Sequence, residues 1–214
     1  MSRRYGPPQA AAAPRSTWER LLAAALERTL APVRVDRVLQ GLRDADFLDP
    51  EALAGAASLE LAEAVEQAKA SLPKPAVHLL HRLARWLIEQ HEGSVENLAS
   101  VSTERLSDEL AALGGIGQAT ADAILLFGLG RAVYPVDRAS FRILVRHGWL
   151  EPFADYQEAR STLESLGQDD AHALERVSGW FERIGREFCG ARRAKCERCP
   201  LQMYLPEGGP LEPD

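Results

Sequence analysis

The stretch Leu113–Leu125, LGGIGQATADAIL, decides how the rest of the chain is read. Gly114, Gly115 and Gly117 stand between the end of one helical pattern and the start of another. Glycine permits a tight turn and leaves no side chain between the backbone amides and an approaching group. The main-chain N–H groups of Gly115, Ile116, Gly117, Gln118 and Ala119 then face outward where a helix begins. The partial positive charge at a helix N-terminus suits an anion such as phosphate. Contacts of that kind fix register on a nucleic acid without reading its sequence. A glycine turn can also join two packed helices and do nothing more. Two features favour the binding reading: the apolar Leu113, Ile116, Ala121 and Ile124 around the turn, and Asp137, twenty residues beyond Gly117. Asp137 follows Tyr134-Pro135-Val136 and precedes a helical run. That is the position of an N-cap, and also one from which a carboxylate can sit near a phosphate site.

Outward from the turn the pattern is helical. Apolar residues recur at helical spacing over 17–30 after the capping Ser16, over 33–42 beyond Pro32, and over 58–70, 76–91, 95–100 and 103–113. They do so again over 118–129, 138–147, 156–167 and 169–188, and a further segment opens at Asp49-Pro50. About ten helices without strand alternation predict an all-α fold. Val133–Val136 is β-prone, but it is short and holds a proline. Met1–Arg15 is expected to be a disordered leader, and 206–214 an irregular tail. Trp86, Trp149 and Trp180 read as core, and the scattered His78, His81, His91, His147 and His172 as ordinary surface or core residues. No apolar run reaches the length of about 18 residues that a membrane span needs, so the expected location is the cytoplasm.

The three cysteines, Cys189, Cys196 and Cys199, lie within eleven residues. An odd, clustered set of this kind points to metal ligation rather than disulfides. Between them stand Arg192, Arg193, Lys195 and Arg198 against one acid, Glu197, with Arg183 and Arg186 on the preceding helix. A net charge of −6 argues against nucleic acid, but clustering of basic groups matters more than the total. This loop is therefore read as a basic knuckle for a phosphate backbone, with a merely solvated loop as the alternative.

Taken together, LGGIGQATADAIL, VYPVDRASFRIL and WFERIGREFC-x6-C-x2-CPL resemble the endonuclease III branch of the helix-hairpin-helix DNA glycosylases, over roughly Trp18–Leu201. The resemblance implies an all-α, two-domain fold. A six-helix barrel over 33–133 would hold the hairpin at 108–128. A discontinuous domain from 16–32 and 134–214 would carry the metal loop. It implies a monomer acting on double-stranded DNA that contains a damaged base or an abasic site, with the base flipped out of the stack. Asp137 is then the catalytic carboxylate, stabilising positive charge on the sugar. Cys189, Cys196 and Cys199 become ligands of a [4Fe-4S] cluster.

Three departures from the family pattern matter. Ala119 stands where bifunctional members carry the Schiff-base lysine. Ala25–Leu30 lacks the glutamine that fills the gap left by the flipped base; Glu27 and Arg28 fall nearest. Leu205 stands at the fourth cysteine. The first two leave a monofunctional glycosylase, or a DNA-binding relative with little activity. The third leaves a cluster completed by Asp214, Glu207 or Glu212, or by Tyr204 or water, with a carboxylate preferred. Zinc, or no metal, are the other outcomes.

Overall fold

A computed structural model describes residues 15–212. The leader expected over Met1–Arg15 therefore lies outside the described residues except for Arg15, as does Asp214. Arg15 is tied down by ion pairs to Glu27 and Asp36. Among the described residues there are ten α-helices and no strand, in keeping with the all-α reading. No helix among them is long and apolar enough to cross a membrane. The chain divides into two units, with the boundary between Arg131 and Ala132.

In the unit up to Arg131, local chemistry starts most helices where the sequence signals them. Helix α1, Thr17–Leu26, opens on a capping box: the Glu19 N–H donates to Ser16 Oγ at 3.2 Å and the Ser16 N–H donates to Glu19 at 2.7 Å. Helices α2 (Pro32–Asp44) and α3 (Pro50–Gly55) begin on a proline, which suits the first turn because its missing N–H has no intrahelical role there. Helix α4 spans Ser58–Gln67. Helix α5, Lys74–His91, ends at Glu92 in the left-handed region. A 3-10 turn at Glu96–Ser100 leads to α6, Thr103–Ala112, capped by Ser102. Helix α7, Gln118–Ala123, then widens into a π turn over Ile124–Gly128, where the Leu129 N–H reaches the Ile124 carbonyl at 3.1 Å.

Close backbone approaches lock these helices together. A Cβ on Gly41 of α2 would come within 2.6 Å of the Ala64 carbonyl oxygen on α4. A Cβ on Gly128 would come within 2.9 Å of Leu21 Cα on α1. This second contact corrects the expected division of the chain. The family resemblance implies that residues 16–32 join 134–214 in a discontinuous domain. Instead α1 buries Leu21, Leu22, Ala25 and Leu26 in the same unit as the hairpin, against the 124–128 turn. The physical cause is the bare face of Gly128, which lets α1 seat directly on the π turn.

The unit from Ala132 holds α8 (Arg138–Arg146), α9 (Tyr156–Glu164, with an Asp155–Glu158 capping box) and α10 (Ala171–Glu187). Two 3-10 turns follow, Cys196–Arg198 and Gln202–Tyr204. Helices α8 and α10 meet where Gly185 faces Ala139; a Cβ there would overlap the alanine methyl at 2.5 Å. Trp149, read as core, is 39% exposed. It lies past the end of α8, so helical periodicity no longer governs it, and its ring packs between those of His147 and Tyr204. Trp86 is buried as expected, and Trp180 is half-buried.

Candidate functional site

The hairpin is built as its glycines require. Gly115 has φ +84°, in the left-handed region. Ile116, only 4% exposed, pins the turn to the core, while Gly114, Gly115 and Gly117 face solvent. The Gly117 carbonyl accepts the N–H groups of Thr120 (2.8 Å) and Ala121 (3.1 Å), so α7 begins at once. The N–H groups of Gln118 and Ala119 in its first turn have no intrahelical acceptor. The Gln118 side chain turns inward and donates to Ser107 Oγ (2.9 Å) and Asp122 Oδ1 (3.0 Å). Outward, this position therefore offers main chain only.

Sequence reasoning missed Arg82. It comes from α5, and its Nη2 lies 2.9 Å from where a Cβ on Gly115 would be. A guanidinium thus backs the bare turn, and its Nε is buried without a partner. Nothing local in the sequence brings residue 82 to residue 115. The region matched to the missing glutamine, Ala25–Leu30, is the end of α1 and the turn after it, with Glu27 and Arg28 exposed.

In the other unit, Asp137 caps α8: its Oδ1 accepts the Ser140 N–H at 2.6 Å, which fixes the side chain. The preceding extended strap is held at two points. The Tyr134 N–H donates to Glu164 Oε1 (3.0 Å), and the Val136 N–H donates to the Tyr156 hydroxyl (3.2 Å). Tyr134 is fully buried, with its hydroxyl 3.2 Å from Ser140 Oγ. Burial, reinforced by the Asp137 charge, pushes its phenol far above the ordinary range, so it stays neutral. Asp137 itself is half-buried, on a strap that cannot easily shift.

The cysteine loop leaves α10 and closes through a bridge between Cys189 and Ala194 and the Lys195 N–H on the Phe188 carbonyl at 2.8 Å. Cys189, Cys196 and Cys199 form no disulfide and line one recess together with Arg146, His147 and Leu205. Arg146, 2% exposed, donates from Nη1 to Cys189 Sγ (3.3 Å) and to the Gly190 carbonyl (2.9 Å). Its Nη2 pairs with Glu212 at 3.0 Å. Arg142 donates to the Cys189 carbonyl at 3.1 Å. Burial, and then the charge of Cys189, push the Cys196 thiol up, so a set of thiolates here calls for compensating positive charge. Among the described residues no three His, Cys, Asp or Glu side chains converge as ligands of a single ion. Arg192, Arg193, Lys195 and Arg198 are all exposed on the loop, and Lys195 and Arg198 share a depression with Arg186.

No family model matches the chain. A provisionally named DNA repair glycosylase of Methanocaldococcus jannaschii is 24% identical over 189 residues, which cover 87% of this chain and 84% of that protein. Endonuclease III of Thermotoga maritima is 25% identical over 158 residues, 74% of this chain and 68% of its own. The solved structure of a non-covalent endonuclease III–DNA complex superposes with a TM-score of 0.71 at 22% identity, covering 97% of this chain and 91% of that one. The chain is thus similar in sequence to DNA glycosylases of the endonuclease III kind and shares the all-helical fold of the endonuclease III structure over nearly its whole length.

Proposed function

We propose that this chain is a monofunctional DNA glycosylase of the endonuclease III type, which removes a damaged base from double-stranded DNA. The observation that carries this reading is the Asp137 carboxylate, locked on the N-terminus of α8 with one oxygen committed to Ser140. A fixed negative group under a sugar that develops positive charge lowers the barrier because it need not reorganise during the reaction. The main-chain N–H groups of Gly115, Gly117, Gln118 and Ala119, backed by Arg82, suit a strand's phosphates, whereas the sequence-expected Ile116 N–H is spent on the Leu113 carbonyl at 3.0 Å and its buried side chain anchors the turn. Ala119 offers no amine. The sugar carbon therefore takes its oxygen from water as the bond to the base breaks, and the product is an intact strand with an abasic site.

The cysteine recess fits the family's [4Fe-4S] cluster. Its thiols have the family spacing, and the buried Arg146 already donates to a cysteine sulfur and brings positive charge. A zinc ion gathers its sulfurs about 2.3 Å from one centre, whereas a cluster takes one ligand on each iron. When bound, the cluster supplies structural closure of the loop. The closed loop then presents Arg192, Arg193 and Lys195 to the DNA backbone. Converting Arg192 and Arg193 together to alanine should leave Tm unchanged. It should also reduce the slope of log affinity against log salt by up to about 1.8, read by fluorescence anisotropy across a salt series. An unchanged slope removes the knuckle from the interface.

Ala119 and the glutamine-free Ala25–Leu30 support a second reading, a DNA-binding relative with little catalysis. Base-release assays on duplexes bearing oxidised, alkylated or mismatched bases separate the two. Release from any of them supports the first reading, and binding without release the second.

A further inference from the structure

We propose that His147 supplies the fourth iron ligand through Nε2, in place of the absent cysteine. The inference rests on the cluster reading above and specifies it. The position matched to the fourth cysteine, Leu205, lines the recess but brings no donor atom. Of the tail candidates, Glu212 is held by Arg146 at 3.0 Å and is exposed. Glu207 and Tyr204 are exposed and do not line the recess. Asp214 lies outside the described residues.

His147 lines the same recess as the three cysteines and is only 8% exposed. Its Nδ1 lies 2.7 Å from the Ile143 carbonyl oxygen, which can only accept, so the proton sits on Nδ1. In the neutral ring Nε2 then carries a lone pair. That nitrogen is buried and has no hydrogen-bond partner in the structure, an arrangement that costs stability unless something binds it. A ring N–H fixed on a backbone carbonyl, with the opposite nitrogen free, is how metal-binding histidines are oriented. Imidazole is a competent ligand to iron in iron–sulfur clusters, where it replaces thiolate and raises the potential. Exchanging one thiolate for neutral imidazole also leaves the buried site one negative charge lighter.

The test uses full-length protein purified without oxygen, with histidine labelled by 15N or at natural abundance. Wild type should hold about four irons per chain. Pulsed EPR of the paramagnetic cluster should show the hyperfine coupling of a directly bound nitrogen, changed by the label. His147→Cys should keep the iron and lose the nitrogen coupling; His147→Ala should lose iron or cluster stability. Iron at full content without nitrogen coupling, or an unchanged spectrum in His147→Cys, would overturn the ligand assignment and leave the cluster reading standing. No iron in wild type would overturn both.

Discussion

Asp137 does two things at once: it caps α8 through Oδ1 and keeps a carboxylate charge at a fixed place. Asparagine caps about as well as aspartate, so Asp137→Asn removes the charge with little loss of stability, and its effect on chemistry can be read cleanly. Ala119 makes a sharper chemical statement. Borohydride treatment of the protein with abasic duplex should give no covalent adduct, since no amine occupies that position. A trapped band on a denaturing gel would mean that another lysine or the N-terminus serves as nucleophile. The cap at Asp137 and the grouping of the cysteines were legible in the sequence because capping position and spacing are local signals. Arg82 and His147 were not. Arg82 meets Gly115 only through the packing of α5 on the hairpin, and nothing in the sequence separates His147 from the other four histidines; only the fold buries its Nε2 without a partner.

Helix contacts set the stability of the hairpin's unit. Gly41→Ala would push a methyl to 2.6 Å from the Ala64 carbonyl oxygen, which is backbone and cannot swing aside. A loss of about 1–3 kcal/mol follows, measurable by urea unfolding; a neutral result would mean that α2 and α4 can separate freely. Between α5 and α6, Glu109 takes hydrogen bonds from Arg105 (2.8 Å), His91 (2.7 Å) and Trp86 (3.1 Å). Burial, the largest single influence, would raise its pKa, but those partners together hold it below the ordinary glutamate range. Glu19 follows the same balance: burial raises it, and the Ser16 N–H and Arg43 bring it down further. A carboxylate depressed on folding adds stability above its unfolded value, and that stability is lost as pH falls through the folded one. Tm should therefore decline below about pH 4.3, and Glu109→Gln should flatten that decline while lowering Tm at neutral pH. A parallel pH profile in the variant would remove Glu109 from the acid response. The helices themselves were readable because capping residues, prolines and 3.6-residue periodicity act within each segment. The π turn was not, because it answers to packing around Gly128 rather than to any local preference.

For the chain taken together, the all-α fold followed from periodicity and resemblance, but the place of α1 did not. Its amphipathic pattern says only that one face is buried. Which unit buries it depends on the bare surface of Gly128, about a hundred residues away. The same limit holds at the cysteine loop: spacing marks Cys189, Cys196 and Cys199, whereas the proposed fourth ligand, His147, follows the end of α8 and shares no spacing with them. The account as a whole stands on removal of a base by a chain that keeps the Asp137 charge and lacks the lysine. Single-turnover incubation of wild type and Asp137→Asn with lesion-bearing duplexes, analysed before and after alkali, tests this most directly. The account predicts that wild type releases a base and leaves a strand that breaks only after alkali, with the rate falling about 100-fold or more in the variant. Tight duplex binding with no base released from any lesion, or equal rates for the two proteins, would contradict it.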